Sequence, residues 1–164
     1  MPTKIDKPVL LAFIAKAHRN TYAAPQETRQ KSKMKVPFLP NHKCYYFKDG
    51  NWEYYDCYAG TDWAPGREVV FFKGIPVWAM SYQGKHNPKY PAEFFQKEVF
   101  PFLKKALRNI PDEMPFRGPS KFIEGDFEYK FTMNGDYSYF TGKESIYHKG
   151  VEVFFQDIMG ELIK

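Results

Sequence analysis

Two glutamates show the most suggestive spacing in this chain. Glu68 and Glu144 stand 76 positions apart, and the residues around them recur at the same offset. The stretch Gly66–Gly84, GREVVFFKGIPVWAMSYQG, lies without a gap over Gly142–Gly160, GKESIYHKGVEVFFQDIMG. Gly66, Lys73, Gly74, Val77 and Gly84 thus return as Gly142, Lys149, Gly150, Val153 and Gly160. A carboxylate in an aromatic cleft suits a cationic ligand, through charge and ring faces together. With its pKa raised by burial, the same group is a general acid. A strand-end Glu paired with a neighbouring N–H, Lys or Arg is the commoner use, and it carries the greater weight.

Aromatic side chains supply the walls that such a site needs. Trp63, Tyr137 and Tyr139 fall on corresponding loops of the two halves, where they would flank a cleft between them. Trp78 and Tyr82 belong to a period-two stripe with Met80, and Phe154 is the counterpart of Trp78. Such a stripe is also what a buried sheet face looks like. Arg117, before Gly118-Pro119, suits either an anion or the last carbonyls of the preceding helix. The expected ligand site therefore comprises Glu68, Glu144, Trp63, Trp78, Tyr82, Tyr137, Tyr139, Phe154 and Arg117.

The sequence offers less to catalysis. It contains no Gly-rich phosphate loop, HExxH helix or GxSxG elbow. His18, His42, His86 and His148 are scattered, without Cys, Asp or Glu at ligand spacing. No catalytic residue, metal or cofactor is expected, and small-molecule binding is favoured over turnover. The alternative enzyme is a hydrolase or lyase using Glu68 or Glu144 as acid/base, with Tyr82 or His148 assisting. A third class acts through the basic stretch 27–43, which holds Arg29, Lys31, Lys33, Lys35 and Lys43 and would bind nucleic acid or an acidic protein. A solvated loop is the commoner fate of such a run. Its aromatics are not interleaved as a single-strand binding surface requires.

Length and composition set the frame. The chain has 164 residues, a net charge of +5 and 19% aromatics. That length suits one domain with a real core, and the aromatic share favours strands. Cys44 and Cys57 form no metal-ligand spacing and no disulfide framework, so reduced thiols in the cytoplasm are expected. No apolar run suits a signal sequence or a membrane span.

Elements must position these residues. Asp6 suits an N-cap, and Leu10, Phe13, Ile14 and Ala17 mark an amphipathic helix over roughly 7–19. Residues 24–43 read as a long loop. Strands flank turns at Asp49-Gly50 and Lys73-Gly74. Across the second turn, Glu68, Val70, Val77 and Ala79 should share one face, with Trp78, Met80 and Tyr82 on the other. Phe95 to Ile110 keeps helical spacing, with Pro101 predicting a kink near Phe100. Further strands follow, with turns at Gly125-Asp126 and Asn134-Gly135-Asp136. The expected fold is α+β, a single domain over 1–164. It holds two tandem repeats, roughly 7–84 and 88–160, each one helix plus a four-stranded antiparallel meander, related by a pseudo-two-fold axis.

Thr21-Tyr22-Ala23, Trp52–Tyr55, Gly66-Arg67-Glu68-Val69-Val70, Val77–Tyr82, Arg117-Gly118-Pro119 and Gly142-Lys143-Glu144 with Ile146 together resemble a bacterial domain-of-unknown-function family, number 5680. The resemblance runs roughly from Leu10 to Gly160. Its members look like stand-alone proteins or C-terminal partners of helix-turn-helix regulators. This chain, whose domain begins close to Met1, is expected to be of the stand-alone kind. The resemblance implies no activity and no catalytic residue.

Overall fold

Helix α1 (Lys7–Asn20) forms where the apolar spacing predicts it. Asp6 caps it by accepting a hydrogen bond from the Val9 N–H at 3.2 Å, and Pro8 sits in the first turn, where a missing N–H costs nothing. The structure, a computed structural model, describes residues 5–164. After α1 come α2 (Gln26–Lys31), β1 (Lys33–Met34), β2 (His42–Asp49), β3 (Trp52–Ala59), β4 (Gly66–Phe72) and β5 (Ile75–His86). A broken helix follows: α3 (Ala92–Phe94), a π-helical segment Phe95–Val99, and α4 (Phe100–Leu107). Strands β6 (Lys121–Glu124), β7 (Phe127–Asp136), β8 (Tyr139–His148) and β9 (Val151–Leu162) complete the chain.

The class is α+β, and the described residues form nine strands in one antiparallel sheet ordered β1-β2-β3-β4-β5-β9-β8-β7-β6. One face of the sheet carries the core. Tyr54, Val70, Trp78, Met80, Tyr129, Ile146 and Phe154 point into it, against Leu10 and Ile14 of α1 and Phe102 of α4. Trp78 packs beside the stacked pair of Phe116 and Phe140, its ring centre 5.7 and 6.4 Å from theirs, which are 4.5 Å apart. Full burial of such a side chain stabilises the fold by about 1.5–3 kcal/mol.

Four features differ from the sequence reading, each for a local reason. The residue 24–43 stretch is not all loop. It holds α2, built from good helix formers with no buried residue, and the two-residue edge strand β1. The first hairpin turns at Gly50-Asn51 rather than Asp49-Gly50, because Gly50 takes φ +58° at the first central position, the type II′ pattern. That slip of one residue changes the register by two and sets Cys44 opposite Cys57. The two cysteines are joined as a disulfide, so free thiols are not what the structure contains. In the third case β7 extends through Asn134-Gly135-Asp136 and turns at Tyr137-Ser138, where Asp136 accepts the Ser138 N–H at 2.8 Å.

The fourth difference matters most. The Lys73-Gly74 turn forms as predicted, both residues having positive φ. Past it, however, Phe71 pairs with Pro76 while Val70 pairs with Trp78, so Val77 is bulged out of register. A bulge flips every later side chain to the other face. Trp78, Met80 and Tyr82 therefore share the buried face with Glu68 and Val70, instead of opposing them. The same irregularity recurs beside Lys149-Gly150: Tyr147 pairs with Glu152 and Ile146 with Phe154, skipping Val153.

The helix break lies where Pro101 predicts it. Pro101 has no N–H to give to a residue one turn back, and the preceding turn widens so that Phe100 N–H bonds Phe95 C=O.

Candidate functional site

Alternation along the strands sends several acids inward. Asp56 on β3, Glu68 on β4, Glu144 on β8 and Gln156 on β9 all lie on the core face, and none is more than 5% exposed. Buried carboxylates need partners. Arg117, in the segment between α4 and β6, supplies one. Its Nε donates to Glu144 Oε2 at 2.7 Å and its Nη2 to Glu144 Oε1 at 3.0 Å. Nη2 also reaches Gln156 Oε1 at 3.4 Å, and Nη1 lies 4.0 Å from Glu68 Oε1. His18 of α1 donates from Nε2 to Glu68 Oε2 at 2.7 Å. Tyr129 accepts the Gly118 N–H at 3.0 Å and donates to Glu144 at 3.4 Å. A Cβ on Gly118 would come within 2.9 Å of the Tyr129 ring, so only glycine allows this approach.

The aromatic rings of Tyr22 and Tyr82 each lie 5.4 Å from the Arg117 guanidinium carbon. Burial opposes the Arg117 charge, but Glu144 outweighs it and holds the guanidinium above its ordinary range. Asp56 behaves differently. It faces Glu68 directly across the β3–β4 ladder. Burial first, then the Glu68 charge, pushes its carboxyl well above the usual range, even though Tyr82 donates to it at 2.6 Å.

Beside this network opens a pocket of about 80 Å³. Arg117, Asp56 and Gln156 form its deep end, with Tyr22, Tyr58 and Tyr82 around them. Phe100, Leu103 and Leu107 give an apolar side, and Arg29, Lys104, Tyr45 and Ala64 complete the lining. The Tyr22 hydroxyl and Arg29 Nη1 are buried without a hydrogen-bond partner. A larger hollow of about 690 Å³ lies on the opposite sheet face, between Ser81, Thr141, Lys143 and Met159. It is an open surface, and none of its residues holds a buried unpartnered polar atom. Among the described residues no group of His, Cys, Asp and Glu gathers as a metal site, and no helix is long and apolar enough to cross a membrane.

The family model described as Domain of unknown function (DUF5680) matches residues 56–163 of this chain. The chain belongs to that family. Within the DUF5680 match lie Asp56, Glu68, Tyr82, Arg117, Glu144 and Gln156, whereas His18, Tyr22 and Arg29 precede it. None of the curated proteins compared with the chain matches it.

The DUF5680 fold draws four of the nine sequence candidates together: Glu68, Glu144, Arg117 and Tyr82. Arg117 and Tyr82 line the pocket, and the glutamates stand behind it. Trp78 is core, and Phe154 packs on Phe95 at 5.3 Å. Trp63 is 55% exposed near His86, Tyr139 is 54% exposed, and Tyr137 lies under Lys7. Arg117 binds a carboxylate instead of helix-end carbonyls.

Sequence reasoning left Tyr22, Asp56, Tyr58, Lys104, Tyr129 and Gln156 outside the site, and considered His18 only among the scattered histidines and Arg29 only within the basic stretch 27–43. One signal was available for His18: it follows Leu10 and Ile14 at intervals of four, on the buried stripe. Asp56 likewise alternates with Tyr54 on an inward face. Lys104 and Arg29 meet only through the tertiary fold.

Proposed function

We propose that this protein is a small-molecule binding module whose ligand enters the tyrosine pocket. One observation carries the reading: two residues of the pocket lining, Tyr22 and Arg29, each hold a buried polar atom, the hydroxyl and Nη1, that has no hydrogen-bond partner. Such atoms cost about 1–3 kcal/mol each unless water or a ligand meets them. A concave, mainly aromatic lining with a few convergent polar groups is the usual form of a ligand site. Tyr82 and Arg117 touch the ligand in this reading. Glu68 and Glu144 hold the cluster in place from behind.

Acid/base catalysis by either glutamate draws less support, because neither lines the pocket. Glu144 is held through both oxygens by Arg117, and Glu68 by His18 through Oε2, its Oε1 having no hydrogen bond.

For the scaffold we infer a duplication of a helix plus a four-stranded meander, joined where β5 pairs with β9. Supporting it are the matching bulges after Val70 and Ile146, the left-handed Lys-Gly turns and the complete burial of both glutamates.

A thermal-shift screen of small metabolites tests the binding function. A ligand at a hundred times its Kd raises apparent stability by about 2.7 kcal/mol. Ala64→Phe, which fills the pocket lining, should abolish the shift while leaving the unliganded Tm close to that of the parent. Stabilisation undiminished in Ala64→Phe, or no stabilising compound at all, would overturn the reading.

A further inference from the structure

We propose that the tyrosine pocket takes a small organic anion, its carboxylate held by Arg29 and Lys104 and its flat apolar body lodged between Tyr58 and Leu103. This rests on the pocket being the ligand site and adds the ligand's charge and shape. The charge follows from which groups are already paired. Glu144 is held by Arg117, and Glu68 by His18. The cations at Arg29 and Lys104 have no such partner among the described residues: Arg29 Nη1 is buried and unbonded, and the charges felt by Lys104 are those of Arg29, Lys43, Arg108 and Lys33. Burial, then this ring of like charge, pulls the Lys104 pKa down to about 8. A bound anion would relieve both groups at once, whereas a cation would meet repulsion at the same place.

The shape follows from the walls. Tyr45 and Tyr58 lie nearly parallel, with ring centres 6.3 Å apart and planes at 23°, and present a flat face. Phe100, Leu103 and Leu107 supply the apolar part of the same lining. The space of about 80 Å³ is below the roughly 150 Å³ of a cavity that encloses a benzene. It therefore takes the carboxylate and the near edge of one small ring, the rest lying at its mouth, and it excludes a polymer. At the ligand's far end stand Asp56, whose pKa is raised by burial and by Glu68, and the Tyr22 hydroxyl, which has no hydrogen-bond partner.

Calorimetric titration with benzoate, benzyl alcohol and benzylamine tests the inference on three probes of one shape and different charge. Benzoate should bind at least tenfold more tightly than benzyl alcohol, and benzylamine should give no heat. Arg29→Gln and Lys104→Gln should each weaken benzoate roughly tenfold, as loss of a charge-assisted hydrogen bond does, and leave benzyl alcohol unchanged. Equal binding of benzylamine or benzyl alcohol, or benzoate binding indifferent to both substitutions, would contradict the anion. Absence of binding by all three probes overturns the anion as well. The pocket reading is judged separately, by whether any other compound loses its thermal shift in Ala64→Phe.

Discussion

Arg117 grips Glu144 through two hydrogen bonds, Nε to Oε2 at 2.7 Å and Nη2 to Oε1 at 3.0 Å, in the interior of the protein. The two residues are 27 positions apart, and neither is more than 4% exposed. The pair ties the segment after α4 to the centre of the sheet and sets the deep end of the pocket.

Breaking this pair should be costly. Arg117→Met leaves Glu144 buried and unpaired and is expected to lose about 3–5 kcal/mol of stability in urea unfolding. Adding Glu144→Gln removes the stranded charge and should recover a large part of the loss. A double variant no more stable than Arg117→Met would show that the pair is not the cause.

Asp56 should make stability depend on pH. Its folded pKa is raised by burial and by Glu68, so its contribution is complete below the unfolded pKa. It is lost as pH rises from there through the folded pKa. Asp56→Asn cannot titrate, and its amide oxygen still accepts the Tyr82 hydroxyl. The urea midpoint of the variant should therefore improve relative to the parent between pH 4 and pH 8. A constant difference across that range would contradict the assignment.

Much of the scaffold was legible in the sequence. Asp6 and the Leu10–Ala17 stripe marked α1, and Lys73-Gly74 and Lys149-Gly150 marked two turns. The repeat also paired Glu68 with Glu144 before any contact was visible. The faces were not legible. A bulge depends on how two strands twist together, and one residue at Val77 moved Trp78, Met80 and Tyr82 onto the glutamate side. The disulfide was hidden by a similar slip at Gly50-Asn51. The pocket was the least legible part, because Tyr22, Arg29, Tyr58, Lys104 and Arg117 come from five separate stretches.

The two left-handed turns should respond alike. Gly74 and Gly150 have φ +76° and +80°, and a Cβ at either would meet nothing. Each Gly→Ala substitution therefore costs only backbone strain, about 1–2 kcal/mol, and the two should add. Markedly unequal or non-additive losses in urea unfolding would argue against equivalent turns.

Anion affinity should fall with rising pH. Lys104, with a pKa pulled down to about 8, is charged below that value and neutral above it. Benzoate should bind most tightly near pH 6 and weaken as pH passes 8, while Lys104→Arg flattens the profile. An unchanged affinity from pH 6 to pH 9 would remove Lys104 from the site.

The most direct measurement of the central claim is an NMR titration of protein labelled only in its tyrosine rings, using the strongest compound from the thermal-shift screen. The pocket account predicts that Tyr22, Tyr58 and Tyr82 shift in a saturable way with one Kd, while Tyr137, Tyr139 and Tyr147 stay still. Shifts concentrated on Tyr137 and Tyr139, with the pocket tyrosines unmoved, would contradict it.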